Sequence, residues 1–172
     1  DEINKVASPF NGGSRVIQVG LMTPGQVLIT ALVSILGTVG IGLYLNQEIS
    51  GAMFGNTPIL WTGIIGTFLA LGYTGDPVRL GYKGFGEIAM ALGFGPIMVM
   101  GAHYVLTAPI HNNDINQWNW VEALIASVPI GILVMLIVWI NQFQDAPSDA
   151  AVGKNTWVVR TAVDDGWMRL EK

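Results

Sequence analysis

Four long apolar stretches alternate with short polar ones along this chain. They run from about residue 24 to 45, 58 to 73, 86 to 107 and 120 to 143. A bilayer core about 30 Å thick needs roughly 20 helical residues; three of the stretches reach that length and the second falls short of it. The pattern predicts an all-α fold, a polytopic membrane helix bundle with four transmembrane helices. It forms a single membrane domain over residues 1–172, with polar segments at 1–23 and 144–172. Thr23-Pro24 and Thr57-Pro58 mark two helix starts, since Thr accepts from free N–H groups and Pro suits the first helical position. Pro96 and Pro129 fall inside the third and fourth stretches, where a membrane helix kinks rather than ends. Small residues four apart, in Ser34-Thr38-Gly42 and Gly66-Ala70, predict close helix packing. Trp61, Trp118, Trp120 and Trp139 lie near the predicted span ends, where an aromatic belt forms.

Composition agrees with a lipid environment. The 172 residues are 51% apolar and only 12% charged, about half the charged fraction of an average soluble domain. The net charge is −4, and no dense basic patch exists, which excludes nucleic acid as a partner. The chain has no cysteine, and so no disulfide, thiolate metal site or cysteine nucleophile. The basic residues fall in three segments: Lys5 and Arg15, then Arg79 and Lys83, then Lys154, Arg160, Arg169 and Lys172. The loops near 46–56 and 108–119 carry none. This alternation predicts that both chain ends and the 74–85 loop are cytoplasmic, with the other two loops outside.

The polar chemistry therefore gathers on one side. Asn141, Asp145 and Asp149 are spaced i, i+4, i+8 and share a face if the fourth helix persists that far. Carboxylate and amide oxygens are ligands for a hard cation such as Mg²⁺, which fills its other positions with phosphate oxygens and water. The alternative is a solvated polar helix end, with Pro147 bending the chain. The glycine-rich run from Tyr73 to Glu87 carries Arg79, suited to forked hydrogen bonds with an anion, and Lys83, a point charge. The alternative here is a loop that only obeys the charge rule. Gly12-Gly13 allow a tight turn that could present Arg15 to an anion. Gly153-Lys154-Asn155-Thr156 is no P-loop, because Ser148 stands where the first glycine belongs and no strand precedes it. His103 reads as a packed or hydrogen-bonded helix residue and His111 as surface. No Gly-x-Ser-x-Gly elbow supports a serine hydrolase.

As a set, several stretches resemble the UbiA superfamily of intramembrane aromatic prenyltransferases, on its menaquinone-pathway branch. They are Ser8 to Ile17, Tyr82-Lys83-Gly84-Phe85-Gly86-Glu87, Gly93-Phe94-Gly95-Pro96, Asn141-x-Phe-x-Asp145-x-x-x-Asp149, and Gly153-Lys154-Asn155-Thr156 leading to Val158-Val159-Arg160. Ala150, Thr161-Ala162 and Asp165-Gly166-Trp167 depart from the family pattern.

The resemblance implies a central fragment of a nine-helix fold, with these spans as helices three to six. It implies Mg²⁺ held by Asp145, Asp149 and Asn141, with Asp1 the trailing carboxylate of a first Asp-rich motif. Arg15, Arg79, Lys83 and Lys154 become diphosphate ligands, Lys83 joins Asp145 and Asp149 in catalysis, and Glu87 orients a cation or the acceptor. The implied partners are a polyprenyl diphosphate, an aromatic quinone precursor (1,4-dihydroxy-2-naphthoate) and membrane lipid. The implied location is a bacterial or archaeal plasma membrane with the active face cytoplasmic. Other acceptors (4-hydroxybenzoate, a chlorin, haem, a glycerophosphate lipid) and a non-catalytic membrane fragment are the alternatives. A transporter is disfavoured because the spans are nearly free of ionisable groups.

Overall fold

A computed structural model of the chain describes residues 16–164; Asp1 and Arg15 lie outside them. The described residues hold helices and turns and no strand. The elements are α1 (Pro24–Ser50), α2 (Pro58–Thr74), α3 (Gly86–Leu92), a π-helical turn (Gly93–Ile97), α4 (Met98–Thr107), α5 (Trp120–Ala151) and α6 (Trp157–Asp164). Three runs are long and apolar enough to cross a bilayer: Pro24–Ser50, Gly86–His111 and Trp120–Ala151. The α2 helix is a shorter apolar one of 17 residues. Leu36, Leu106, Ile125, Leu133 and Ile140 are exposed on the outer faces. So large an apolar surface suits hydrocarbon rather than water.

Local chemistry sets the helix ends. Thr23 accepts from the Gln26 N–H while the Gln26 side chain accepts from the Thr23 N–H, a reciprocal cap. Thr57 caps α2 by accepting from the Leu60 N–H.

Two helices outrun the apolar stretches that predict them. The α1 helix continues to Ser50, because Asn46, 1% exposed, gathers the following turn: its amide donates to the carbonyls of Ala52, Met53 and Gly55, and its oxygen accepts from the Thr57 hydroxyl. Gly51, at φ +75°, then takes the left-handed cap position. The α5 helix continues through Pro147 to Ala151, so the proline does not end it. Gly153, also at φ +75°, turns the chain back after it.

The crossing of two helices fixes the interior. Pro96 lacks the N–H that an α-helix needs at that position, and the chain widens there into the π turn. At this turn the backbone touches α5. A Cβ on Gly95 would lie 2.9 Å from Gly131 Cα, and one on Gly131 would lie 2.7 Å from the Ala91 carbonyl oxygen. Gly131→Ala gains about 1 kcal/mol in helix propensity, but the clash is with backbone, and overpacking costs about 1–3 kcal/mol. The variant should therefore unfold at lower temperature in detergent; an unchanged or raised Tm would contradict the crossing. The small residues expected to pack in α1 do not make such a contact: Ser34 and Thr38 are exposed, and their hydroxyls bond carbonyls of their own helix.

The two ends of the bundle differ in chemistry. At one, Ile59, Tyr104 and Ala108 pack with Leu45, Ile49 and Trp118. Trp118 lays its edge on Tyr104 and donates its indole N–H to His103 Nδ1 at 3.0 Å. At the other end α6 docks on α5 through Ala146, Val158 and Val159, and Trp139 meets Trp157 edge to face. This end also gathers the 74–86 loop. Trp157 donates to the Gly84 carbonyl at 2.8 Å, Arg160 donates to the carbonyls of Lys83 and Asn155, and the Asn155 N–H donates to the Tyr82 carbonyl. Gly84 holds a left-handed backbone at φ +77° that favours glycine, and a Cβ there would lie 3.0 Å from the Asn155 carbonyl oxygen.

Candidate active site

The loop, the end of α5 and the link to α6 close around a cavity of about 220 Å³. Its walls are Tyr73 and Thr74 from the end of α2, Gly81, Tyr82 and Gly86 from the loop and the start of α3, Val138, Asn141, Gln142, Asp145 and Asp149 from α5, and Lys154 and Thr156 beyond it. Because α5 stays helical to Ala151, the four-residue spacing carries Asn141, Asp145 and Asp149 down one wall.

The carboxylates differ in partners. Asp149 is buried, and its Oδ1 accepts from Lys154 Nζ at 2.8 Å. The turn at Gly153 makes that pair possible by bringing the Lys154 N–H onto the Asp149 carbonyl at 2.9 Å. Asp145 Oδ1 is buried and has no hydrogen-bond partner. Asn141 stands at the exposed rim. Lys154 also approaches the Tyr82 ring, 5.7 Å from its centroid, and Arg79 stacks on the same ring at 4.1 Å. Burial disfavours the Lys154 charge, but the hydrogen bond and attraction of Asp149, helped by Tyr82 and Tyr73, outweigh it and raise its pKa above the usual lysine value. The lysine therefore stays protonated through neutral pH. A raised pKa means its stabilising contribution is complete below the unfolded lysine value and fades only as pH rises through the folded one.

The remaining predicted residues lie elsewhere. Arg79 holds a left-handed backbone at φ +46° and backs the Tyr82 wall without lining the cavity; its Nε lies 3.6 Å from Asp76 Oδ1. Lys83 is exposed and donates to the Pro77 carbonyl at 3.0 Å, outside the cavity lining. Glu87, 1% exposed, accepts from Gln142 Nε2 at 2.6 Å, so its observed partner is an amide. Asp1 and Arg15 fall outside the described residues. Tyr73, Tyr82, Gln142 and Thr156 line the cavity without having been singled out by motif reading. Gln142, a polar side chain at the end of a long apolar run, carried a signal that motif reading passed over.

The donor set fits a hard cation. It offers oxygen only, and two buried oxygens, Asp145 Oδ1 and Gln142 Oε1, lack partners. Among the described residues no three His, Cys, Asp or Glu side chains gather into a metal cluster. Two carboxylates leave the other positions to phosphate and water, the arrangement Mg²⁺ favours.

Comparison with known proteins decides the lineage: residues 1–168 match the UbiA prenyltransferase family. The chain belongs to that family. This UbiA chain is 36% identical over 104 residues to a 2-carboxy-1,4-naphthoquinone phytyltransferase of Synechocystis, covering 58% of this chain and 31% of that protein. It is 32% identical over 153 residues to a 1,4-dihydroxy-2-naphthoate octaprenyltransferase of Mycobacterium tuberculosis, covering 87% of this chain and 46% of that protein. A Bacillus subtilis protein of the same name is 27% identical over 150 residues, covering 86% of this chain and 42% of that protein. The chain thus spans about a third to a half of the length of these relatives. No solved structure matches it significantly. Family membership and the long apolar helices make it part of an integral membrane protein.

Proposed function

We propose that this protein transfers a polyprenyl group from a polyprenyl diphosphate to an aromatic acceptor in a Mg²⁺-dependent reaction, the acceptor being 1,4-dihydroxy-2-naphthoate of menaquinone biosynthesis. One observation supports this above the rest: two carboxylates, one with an unpartnered buried oxygen, share a small cavity with a protonated lysine at the polar end of an apolar bundle.

Asp145, Asp149 and Asn141 would hold the cation. Mg²⁺ bound there supplies positive charge to the diphosphate oxygens as the allylic C–O bond breaks. Lys154 adds a second, fixed charge beside the same leaving group, held in place by Asp149. Tyr82 forms the wall between Lys154 and Arg79, and Arg79 adds positive potential from behind it. Val138 marks where the cavity wall turns apolar toward the span, a path suited to the isoprenoid tail. Apolar walls would keep water from quenching the allylic cation before an electron-rich ring carbon attacks it, and the ring then regains aromaticity by releasing the group that carbon carried. The basic residues at this end favour a cytoplasmic active face.

The naphthoate is chosen because the relatives above are named for naphthoate-type substrates. The complete protein, in detergent with one prenyl diphosphate and Mg²⁺, should prenylate 1,4-dihydroxy-2-naphthoate at least about tenfold faster, by kcat/KM, than 4-hydroxybenzoate, a chlorin, haem or a glycerophosphate lipid. A faster reaction with another acceptor would replace the naphthoate, and no transfer to any would favour a non-catalytic membrane role.

A further inference from the structure

Glu87 and Gln142 are 55 residues apart in sequence and meet in the interior at 2.6 Å, with Gln142 Nε2 donating to Glu87 Oε1. Both are buried, at 1% and 7% exposure. The Glu87 carboxyl oxygen takes the NH₂ end of the facing amide, which turns the carbonyl end of Gln142 away from Glu87. The outcome is visible at the far end of the amide: Oε1 is buried, has no partner, and belongs to a residue that lines the cavity with Asn141, Asp145 and Asp149.

A buried carbonyl oxygen left unmatched is costly to the fold. Asp145 Oδ1, in the same wall, is also unmatched. Two acceptors without donors, on residues that line one cavity, call for a species that is all donor or all positive charge. A diphosphate oxygen offers neither. A hard divalent cation with its bound water offers both.

We infer that Gln142 Oε1 is an oxygen donor to the cation site and that Glu87 is the positioning residue that aims it there. The inference rests on the cation reading of the cavity proposed above. The Glu87 carboxylate is committed to orienting a ligand rather than to touching the cation or the substrate. The π turn meets α5 at Gly95 and Gly131, and Gly131 also lies against Ala91 of α3, so α3 and α5 run close together.

Mn²⁺, as a spectroscopic stand-in for Mg²⁺, tests this directly by EPR titration of the complete protein in detergent without substrate. Gln142→Met keeps the side-chain length and removes the oxygen. Glu87→Gln no longer selects one end of the Gln142 amide, because its own amide donates as well as accepts, so the Gln142 amide is free to turn and present nitrogen to the cavity. Each should raise the Mn²⁺ Kd by about 10-fold or more. The exchanged pair Glu87→Gln with Gln142→Glu restores the hydrogen bond with donor and acceptor swapped and again leaves an oxygen for the cation. It should bind Mn²⁺ more tightly than Gln142→Met or Glu87→Gln alone, a recovery that loss of structure does not explain. Wild-type protein labelled with ¹³C at the glutamine side-chain carbonyl should show ¹³C coupling to bound Mn²⁺, so variants that fail to fold do not leave the matter open; absence of that coupling overturns the inference. Wild-type Mn²⁺ affinity in folded Gln142→Met, alongside weakened binding in Asp145→Asn, overturns it and leaves the cation site standing. Wild-type affinity in Asp145→Asn as well overturns both.

Discussion

Asp145→Ala in the complete protein should lower Mg²⁺-dependent prenyl transfer by about 10³-fold or more in kcat/KM, and Asp149→Ala should do the same. The two losses have different structural companions. Asp145 Oδ1 has no hydrogen-bond partner in the folded chain, so its removal sacrifices no bond and relieves a buried unmatched oxygen. Its Tm should hold or rise while activity disappears, the trade expected of a group kept for function at the expense of stability. Asp149 is different, because its removal strands Lys154, whose ammonium sits on Asp149 Oδ1 at 2.8 Å. That variant should lose both activity and some thermal stability. Near-normal turnover in both variants would reject the assignment.

The second large effect belongs to Lys154. Lys154→Met should lower kcat/KM for the prenyl diphosphate by about 10²-fold while leaving the acceptor KM within about twofold, because the charge faces the leaving group rather than the ring. Lys83→Met is the matched control. Lys83 donates to the Pro77 carbonyl, is exposed and stands outside the cavity lining, so its replacement should change the same ratio by less than about threefold. Equal effects at the two lysines would mean that the leaving group meets the loop cations rather than the cavity lysine.

These two lysines also show how far the site was legible in sequence. The apolar runs and the Thr-Pro starts were local signals, and the helices form where they lie. The spacing of Asn141, Asp145 and Asp149 was local too: once α5 continued through Pro147, one helix face followed. Lys154 was visible as a basic residue, but its return to Asp149 depends on a single left-handed glycine, Gly153, whose turn no periodicity specifies. Lys83 and Arg79 sit in the same basic loop and looked alike. The structure separates them through contacts within that loop, one to the Pro77 carbonyl and one to the Tyr82 ring. The pairing of Gln142 with Glu87 was beyond local reading, since it depends on where α3 lies against α5. The helix lengths erred toward the short side for a related reason. The spans were drawn to end at 45 and 143, yet Asn46 and the residues around Asp145 stay helical because their side chains find partners or line a cavity.

The central claim is that this cavity holds a diphosphate through a cation on the α5 carboxylates. Its most direct test is equilibrium binding of a thiodiphosphate analogue of the prenyl donor, which does not ionise, to the complete protein in detergent with and without Mg²⁺. Binding should require the metal and be lost when Asp145 and Asp149 are both changed to Asn. Metal-independent binding of undiminished affinity, or full binding by that double variant, would contradict the claim.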